Sequence, residues 1–434
     1  AYRELARFSR RDADNYKTYR ADTMRQCRFI RDFLLNTAPD PTSFRPRDLR
    51  ELLHIGGKFE EMGEDRMYET IRFWTMSVAD YLGEYFETDV IKAAKAGSGI
   101  IGTALGVYSP GTAYVLLHHY MGEVDGNVGS WGFARGGMGA VSQAIAGAFQ
   151  AAGGELRTEA GVDTIIVKNG KATGVALENG EEIDGRLVVS AMDVKRTFLQ
   201  CVERSELPDE FVHRVENFKI RGSSGKLNIA LDGLPTFPAL PEGSSLINSD
   251  MHFLDSLERM ERAYDDWKAG TWSKDPYIDM LTPTLNDPTM APPGKHFMSC
   301  FVQYCPHQLE GRAWTSEEKD AFGKTVIDQI ANYSPDFRDL ILHVEVRTPE
   351  DIENEIGITE GNIFHGELTM DQLLFNRPIP GFAQYRSPVD GLYMCGSSTH
   401  PGGGVMAAPG ANAAREILAD LGRQNTVPEN FGDD

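Results

Sequence analysis

The run Thr399-His400-Pro401-Gly402-Gly403-Gly404, near the C-terminus, has the residue types of a loop that binds a nucleotide. Because glycine lacks a Cβ, the backbone of this glycine loop can approach a flat ring or a diphosphate closely. Free N–H groups and the helix dipole at the start of the Ala-rich segment that follows favour negative charge. A strand, a glycine-rich turn and a helix, in this order, predict a phosphate or dinucleotide site. The alternative is a mobile surface loop, which the apolar composition of both flanking segments disfavours.

A second glycine pair, Gly136-Gly137, precedes a segment with helical periodicity that closes at Gly153-Gly154. Its apolar side chains have the spacing of one helical stripe: Val141, Ala144, Ile145, Ala148, Phe149 and Ala152. The sequence therefore predicts a helix here. It leaves open whether a ligand lies at the start of that helix, because glycine is common where helices begin.

The histidines and cysteines do not form a recognisable reactive motif. None of the 10 histidines has H-E-x-x-H or another paired ligand spacing, so we predict no metal site. His365 and His400 are weak candidates for a catalytic role. Cys300 and Cys305 point to opposite faces of a predicted strand, so we expect two buried thiols rather than a disulfide. G-x-S-x-G and P-loop motifs are also absent from the sequence.

The composition excludes several classes of protein. The chain has 434 residues, enough for two or three domains, with 41% hydrophobic and 25% charged residues. Its net charge of -21 disfavours nucleic acid as a partner. The 5 scattered cysteines and a polar N-terminus without a signal-peptide core predict a reducing compartment. That compartment is the cytoplasm, or the mitochondrial matrix in a eukaryote.

A long uncharged stretch runs from Ala96 to Gly122. Its glycines, proline and polar residues predict buried loop and short helix near a ligand, with a membrane span as the alternative. Some apolar residues of this stretch and of a later segment could line a pocket or form a core: Leu105, Val107, Tyr108, Tyr114, Val115, Leu116, Leu117, Phe297, Phe301 and Tyr304. The density of glycine over residues 97–111 favours the pocket.

The elements that must position these residues divide into helical and strand-rich regions. Residues 1–90 have helical spacing of apolar residues, and Ser77 is the predicted N-cap of a helix over 78–86. Strands joined by Asn-Gly hairpin turns are predicted over 155–158, 162–168, 173–177 and 187–190. A second set without helical crossovers predicts an antiparallel sheet from strands over 225–231, 277–283, 296–304 and 341–347.

Three segments carry a family resemblance: WGFARGGMGAVSQAIAGAFQAAGG from Trp131, RLVVSAMDVKRTF from Arg186 and GLYMCGSSTHPGGGVMAAPGANAAREI from Gly391. Together they resemble the phytoene-desaturase-like FAD-dependent oxidoreductases, over essentially the whole chain. The resemblance implies a fold of class α/β plus α+β, in which a glutathione-reductase-like FAD domain is interleaved with a substrate domain of helices on an antiparallel sheet. The implied segments are a helical part of the substrate domain (1–130), an FAD-domain segment (131–205), the antiparallel-sheet part of the substrate domain (206–360) and a C-terminal FAD-domain segment (361–434).

One feature of that family is missing from the sequence. Its members begin with a strand, a G-x-G-x-x-G turn and a helix that bind the ADP half of FAD, and this chain has no such segment. We therefore expect an incomplete FAD domain. FAD is expected in the complete protein but with weak or absent binding by this chain alone, and an N-terminal FAD-binding segment from the same gene is an expected partner.

The resemblance also assigns residues to the cofactor. The positions that it implies are Gly136, Gly137, Met138, Val162, Ser190, Ala191, Gly396, Thr399, His400, Gly402, Gly403, Gly404 and Val405. His365 is either structural or close to the flavin.

The residues and the resemblance are compatible with three functions. The first is an FAD-dependent oxidoreductase of the desaturase or dehydrogenase type, which removes or transfers hydride at a small apolar substrate. The second is a flavin-free binding or scaffold protein derived from the same family. The third is an amine-oxidase-like flavoenzyme, although the sequence shows no recognisable aromatic cage. Peripheral membrane contact is compatible with an apolar substrate, and the oligomeric state is left open.

Overall fold

The computed structural model describes residues 1–124, 126–241 and 244–425. The first part of the chain is helical, with helices at Tyr2–Leu5 (α1), Arg10–Leu34 (α2), Pro46–Met62 (α3), Glu64–Thr75 (α4), Val78–Gly83 (α5), Asp89–Ala96 (α6) and Thr112–Tyr120 (α7). Side-chain caps fix two of the helix starts, because Ser9 accepts a hydrogen bond from the N–H of Asp12 and Ser77 accepts one from that of Asp80. The predicted N-cap at Ser77 is confirmed, and its helix ends at Gly83.

The uncharged stretch 96–122 lies inside the molecule, as predicted. Ile100, Val107 and Leu116 are fully buried and join one large core with the helices around them. No helix in the described ranges is long and apolar enough to cross a membrane. The composition of the stretch therefore reflects burial against protein.

An antiparallel sheet packs beside these helices, as the sequence predicts. Its strands are Ser224–Leu231 (β7), Met251–His252 (β8), Tyr277–Leu281 (β9), His296–Gln303 (β10) and Ile341–Arg347 (β11), in the spatial order β11-β7-β10-β9-β8. Alternate residues of β7, such as Leu227 and Ile229, enter a second core, because successive side chains of a strand point to opposite faces. Gln303 ties the sheet to the helical stretch, since its Nε2 donates to the carbonyl of Thr103 at 2.7 Å.

Smaller strands precede this sheet. They are Glu123–Val124 (β1), Asn127–Val128 (β2), Val162–Lys168 (β3), Lys171–Leu177 (β4), Glu182–Asp184 (β5) and Val188–Ser190 (β6). The predicted turn at Asn169-Gly170 joins β3 to β4 with φ of 54° and 74°, the conformation that favours Asn and Gly. The predicted strand over 155–158 is wrong: this run follows the glycine turn and pairs with no strand among the described residues.

A parallel pair brings two distant segments of the chain together. β6 pairs with Leu392–Met394 (β12), with Leu392 opposite Val188. The remaining helices are Met138–Ala151 (α8), Asp209–Glu216 (α9), Leu257–Lys268 (α10), Ser316–Ala331 (α11), Pro349–Ile356 (α12) and Ala408–Asp420 (α13). The helices and this parallel pair confirm the mixed α/β character. β12 and α13 are both partly buried, so the glycine loop lies between two packed elements. The end of the predicted segment 361–434, residues 426–434, lies outside the described residues.

Helix α8 differs from every other long helix in its surroundings. The predicted helix is confirmed, yet none of its residues, Met138–Ala151, is buried. Its apolar residues Met138, Ile145 and Phe149 are 55%, 58% and 51% exposed. The apolar stripe therefore faces solvent in this chain.

Candidate functional site

The carboxyl ends of the parallel strands β6 and β12 form the base of the site. The N–H of Cys395 donates to the carbonyl of Ser190 at 2.8 Å. A Cβ on Gly396 would overlap the carbonyl oxygen of Ala191, so only glycine permits this approach of the two chains. Ligands of open α/β sheets bind outside the carboxyl ends of parallel strands. The predicted residues Ser190, Ala191 and Gly396 are thus brought together at such an edge.

The glycine loop continues from this edge. The hydroxyl of Thr399 donates to the carbonyl of Gly396 at 2.8 Å, and the N–H of Gly402 donates to the carbonyl of Thr399 at the same distance. Gly402 and Gly404 have φ of 107° and 143°, which disfavours any side chain at either position. Val405, after the loop, is 74% exposed.

The residues that follow the loop carry main-chain donors without acceptors. Within the described part of the chain, the N–H groups of residues 403–407 donate no hydrogen bond. They immediately precede α13, whose dipole adds a partial positive charge. Gly403 is buried, whereas Gly404, Val405 and Ala407 are exposed and Met406 is half-buried, so a ligand can approach residues 404–407 of this row. Consecutive free N–H groups at a helix start suit a phosphate or another anionic group, and the residues present therefore fit the diphosphate of FAD.

Arg377 lies under the glycine loop and is fully buried. Its guanidinium donates to five main-chain carbonyl oxygens at 2.7–3.4 Å: those of Phe364, Gly366, Glu367, Gln372 and Ser397. Burial lowers its pKa to about 10, so it stays charged at neutral pH. Arg377 therefore fixes the segment 364–372 against the loop. Its importance is not visible in the sequence, because its partners are main-chain atoms that no motif identifies.

A cluster of aromatic and imidazole rings lies beside Gly404. A Cβ on Gly404 would come within 3.2 Å of Nε2 of His118, and the rings of His118 and Phe364 meet edge to face at 5.6 Å. The ring of His119 stacks at 6.2 Å from that of Trp131. Burial lowers the pKa of His118 to about 3 and also lowers that of His119, so both imidazoles are neutral at physiological pH. The sequence assigned these two histidines no role.

The two weak catalytic candidates differ in their surroundings. Nε2 of His400 donates to the carbonyl of Phe33 at 3.1 Å, at the C-terminal end of α2, where Asn412 donates to the neighbouring carbonyl of Leu34. Burial lowers the pKa of His400 to about 4. These contacts give His400 the role of a helix cap. His365 is half-buried, its pKa is lowered by burial, and its Nδ1 has no partner among the described residues, so its place near a flavin stays a prediction.

The other cofactor positions are spread further apart. The N–H of Gly136 donates to the carboxylate of Asp287 at 2.6 Å, and Gly137 lies against Met290. Hydrogen bonds from Thr289 and Gly136 lower the pKa of Asp287, so a carboxylate of this chain occupies the start of α8. Met138 is exposed and Val162 is half-buried at the start of β3. Their predicted contacts with FAD stay predictions.

An apolar cavity lies behind the glycine loop rather than where the sequence predicts it. Among the predicted lining residues, Val107, Tyr114, Val115, Leu116, Leu117 and Tyr304 form core instead. The cavity has a volume of about 280 Å³ and is lined by Ile30, Phe33, Asn36, Thr37, Ala38, Pro39, Glu51, Ile55, Phe59, Trp74, Leu374, Phe375 and His400. A core and a pocket have the same composition, so sequence cannot separate them. His400 belongs both to the glycine loop and to the cavity wall.

The cysteines are free, and Cys300 and Cys305 are both buried. The prediction of two buried thiols is confirmed, although only Cys300 lies in β10 and Cys305 follows the end of that strand. Burial raises the pKa of both thiols, which leaves them protonated and unreactive.

Known proteins are similar to this chain in sequence and in fold. Residues 45–335 match the family described as flavin containing amine oxidoreductase. The chain is 37% identical to the mouse (Mus musculus) pyridine nucleotide-disulfide oxidoreductase domain-containing protein 2, over 96% of this chain and 74% of that protein. It is 26% identical to the chloroplastic prolycopene isomerase of Daucus carota, over 89% of this chain and 59% of that protein. A solved structure of a redesigned putrescine oxidase superposes with a TM-score of 0.50 at 13% identity, over 93% of this chain and 76% of that one, and shows a shared fold.

The family match covers well over half of the chain, and the mouse relative is aligned over nearly all of it. The resemblance to phytoene-desaturase-like enzymes is confirmed by the carotenoid enzymes among the relatives. This chain belongs to the flavin-containing amine oxidoreductase family of FAD-dependent oxidoreductases.

Proposed function

We propose that this chain forms the substrate-binding part and the flavin-facing part of an FAD-dependent oxidoreductase that removes or transfers hydride at a small apolar substrate. The observation that carries the proposal is the row of free N–H groups over residues 403–407, at the start of α13 and next to a backbone without side chains. Bound FAD would supply the redox chemistry. The residues of this chain would hold and orient it and exclude water.

Each group near the glycine loop would have a distinct task. The main-chain donors of residues 403–407 would bind an anionic part of the cofactor. Arg377 would hold the loop in position through the five carbonyls that it contacts. His118 would stay neutral beside Gly404, where it can donate or accept one hydrogen bond without adding charge.

We propose that an N-terminal βαβ segment completes the flavin site. The exposed apolar stripe of α8 would pack against it, and the relatives that match this chain are longer than it, since the alignment covers 74% of the mouse protein. The parallel pair β6–β12 also offers an edge on which more strands could add. Without that segment, the diphosphate would lose one helix N-terminus, and we expect weak or no retention of FAD by residues 1–434 alone.

Flavin content tests this proposal directly. Residues 1–434 are purified alone and as a fusion with the βαβ segment, and FAD per chain is measured from the flavin spectrum. Stoichiometric FAD only in the fusion supports the proposal. Stoichiometric FAD in residues 1–434 alone would contradict the need for the segment, and a folded fusion without FAD would favour the flavin-free scaffold.

The apolar cavity supports the substrate class. Its wall consists mainly of Ile, Phe, Pro and Trp side chains, and His400 connects it to the glycine loop. Shape and apolar contact would dominate binding in such a site. Glu51 is the acidic residue of the wall, and it favours the amine-oxidase alternative, because a carboxylate can pair with a substrate ammonium.

Thermal shift of the flavin-bearing protein separates these substrates. Stabilisation by lipophilic polyenes or alkenes, lost in Ile55→Trp, which narrows the cavity, supports the apolar substrate. Stabilisation by primary amines that is lost in Glu51→Gln supports the alternative and overturns our proposal. Ile327→Trp, a substitution outside this cavity, is the matched control.

A further inference from the structure

Three side chains of the types that ligate metals lie together near the β8 edge of the antiparallel sheet. His252 on β8 is directly opposite Asp279 on β9. Asp250 lies just before β8, and its carboxylate contacts the imidazole of His252. One ligand atom of each residue lies within 4.8 Å of the other two. The register of the two strands thus fixes a His-Asp-Asp cluster.

The distances within the cluster suit a bound ion. Nε2 of His252 is 3.0 Å from Oδ2 of Asp250 and 3.7 Å from Oδ2 of Asp279. Ligand atoms around a tetrahedral Zn²⁺, each about 2.0–2.1 Å from the metal, are separated by roughly 3.4 Å. The two separations from His252 lie on both sides of that value, and the two carboxylates lie within 4.8 Å of each other, so all three ligand atoms can face one ion.

The cluster has one buried side and one open side. The side chains of Asp279, His252 and Asp250 are 11%, 20% and 42% exposed, so solvent reaches the cluster from the side of Asp250. Tyr277, two residues before Asp279, packs its ring at 5.4 Å from that of His252. The Tyr277 hydroxyl is buried and has no hydrogen-bond partner within the described ranges. The surroundings thus combine an access path with an unsatisfied polar group.

We propose that Asp250, His252 and Asp279 bind a divalent transition-metal ion, with water in the remaining coordination positions. An imidazole nitrogen with two carboxylate oxygens suits Zn²⁺ or Mn²⁺ better than Ca²⁺, which takes oxygen ligands. The ion would act as a structural tie. β8 has only two residues and pairs with β9 through two residue pairs, so an added link at this edge would strengthen a weakly held strand.

Without a metal ion, the same three side chains can form ion pairs, since Nε2 of His252 lies within reach of both carboxylates. A metal ion must displace the proton of such a pair, because a ligating imidazole nitrogen carries no proton.

The experiment measures metal binding by the full chain, residues 1–434, at pH 8. The protein is stripped with a chelator, and ZnCl₂ is added in equilibrium dialysis and in thermal unfolding. We expect one Zn²⁺ per chain and a rise in Tm. His252→Gln, Asp279→Asn and Asp250→Asn should each weaken binding at least tenfold. His213→Gln, at an exposed histidine on α9, is the matched control and should bind as the unaltered chain does.

Two further arms keep the result unambiguous. MnCl₂ repeats the titration with an ion that thiols bind weakly, so that the free cysteines cannot account for the signal. CaCl₂ tests the ligand preference. Absence of bound metal, retention that is unchanged in the ligand variants, or tighter binding of Ca²⁺ than of Zn²⁺ would each overturn the proposal. If a variant at a buried ligand fails to fold, Asp250→Asn still decides, because Asp250 is the most exposed of the three ligands.

Discussion

Apolar side chains are buried in the antiparallel sheet but exposed on helix α8. Leu227, Ile229 and Leu231 of β7 are fully buried in a core that is complete within this chain. Ile145 and Phe149 of α8 have the same apolar character and are more than half exposed. Burying one such side chain contributes about 1.5–3 kcal/mol. The antiparallel sheet is therefore stabilised by contacts within this chain, whereas α8 has an apolar face that needs a partner to contribute to stability.

The glycine loop combines buried, hydrogen-bonded residues with exposed donors. Arg377 and Thr399 are fully buried and hydrogen-bonded below the loop, while residues 403–407 keep free donors above it. The polar groups below the loop thus have hydrogen-bond partners within this chain, whereas the donors that would contact a ligand have none among the described residues. This division is what a cofactor site requires, since groups that bind a ligand cannot also be bonded to the protein.

The largest effect is expected at Arg377. Replacing it in Arg377→Met leaves four of its five carbonyl partners without a donor among the described residues, since only that of Glu367 also accepts from Gln372, and each unsatisfied group is costly. We expect a loss of at least about 3 kcal/mol in the free energy of unfolding, measured in urea. Arg262→Met, at an exposed helix position, should cost less than about 0.5 kcal/mol. An equal and small loss in both variants would show that the loop does not depend on Arg377.

A matched pair of substitutions tests the comparison itself. Ile229→Ala in the complete core should lower the free energy of unfolding by about 2–5 kcal/mol. Ile145→Ala on α8 should change it by less than about 0.5 kcal/mol in residues 1–434. In a fusion that contains the βαβ segment, Ile145→Ala should become destabilising. A large loss already in residues 1–434 would mean that α8 is packed in solution, for example against a second copy.

A smaller effect with a pH signature is expected at Glu416 of α13. Its carboxylate is buried, and although burial opposes ionisation, hydrogen bonds and charge from Arg47, Thr37 and Arg386 lower its pKa below the ordinary value. The stabilisation is therefore present above the unfolded pKa of about 4.3 and is lost as pH falls through the lower folded pKa.

Glu416→Gln should thus destabilise the chain by about 1.5–3 kcal/mol at pH 7, and the difference should shrink toward pH 3. The measurement is urea unfolding across that pH range. Glu258→Gln, in the exposed pair with Arg262, is the control and should show little difference at either pH. A Glu416→Gln effect that does not depend on pH would contradict an ionic origin.

Local patterns predicted the elements that depend on neighbouring residues. Alternation located the strand Ile341–Arg347 at its observed bounds, and Asn169-Gly170 identified a hairpin because both positions need positive φ. The glycine loop was visible because three consecutive glycines between apolar segments indicate a close approach of backbone to another group. These features are set by short-range sterics, which sequence reports directly.

Features that depend on distant contacts were not predictable in the same way. Arg377 bonds to carbonyls from two separate segments, and the His252–Asp279 pair exists only through the register of two strands. Tyr304 belongs to a core rather than to the pocket that the sequence favours, because the two have the same composition. The position of His118 beside the glycine loop is visible only from its approach to Gly404 in the folded chain. Tertiary packing decides each of these cases.

The smallest effect on stability is expected at Gly403. This position separates residues that hold the loop in place from residues that would contact a ligand. A Cβ there would meet Ser397 at 3.4 Å and Phe364 at 3.7 Å, which is ordinary contact, and its φ lies outside the range that requires glycine. Gly403→Ala should therefore change the free energy of unfolding of residues 1–434 by less than about 0.5 kcal/mol. Gly396→Ala should be clearly destabilising, because its Cβ would overlap the carbonyl of Ala191.

Flavin retention should separate Gly403 from a merely structural glycine. In the fusion with the βαβ segment, Gly403→Val should remove FAD during purification while the chain keeps a cooperative unfolding transition, because two further methyl groups against Ser397 and Phe364 would shift the neighbouring donors of residues 404–407. Gly410→Ala, a position on α13 with open space around it, is the matched control and should retain FAD. Full flavin content in Gly403→Val would place the cofactor elsewhere. Loss of FAD together with loss of the unfolding transition would instead assign Gly403 to the scaffold, on the same side of the comparison as Gly396.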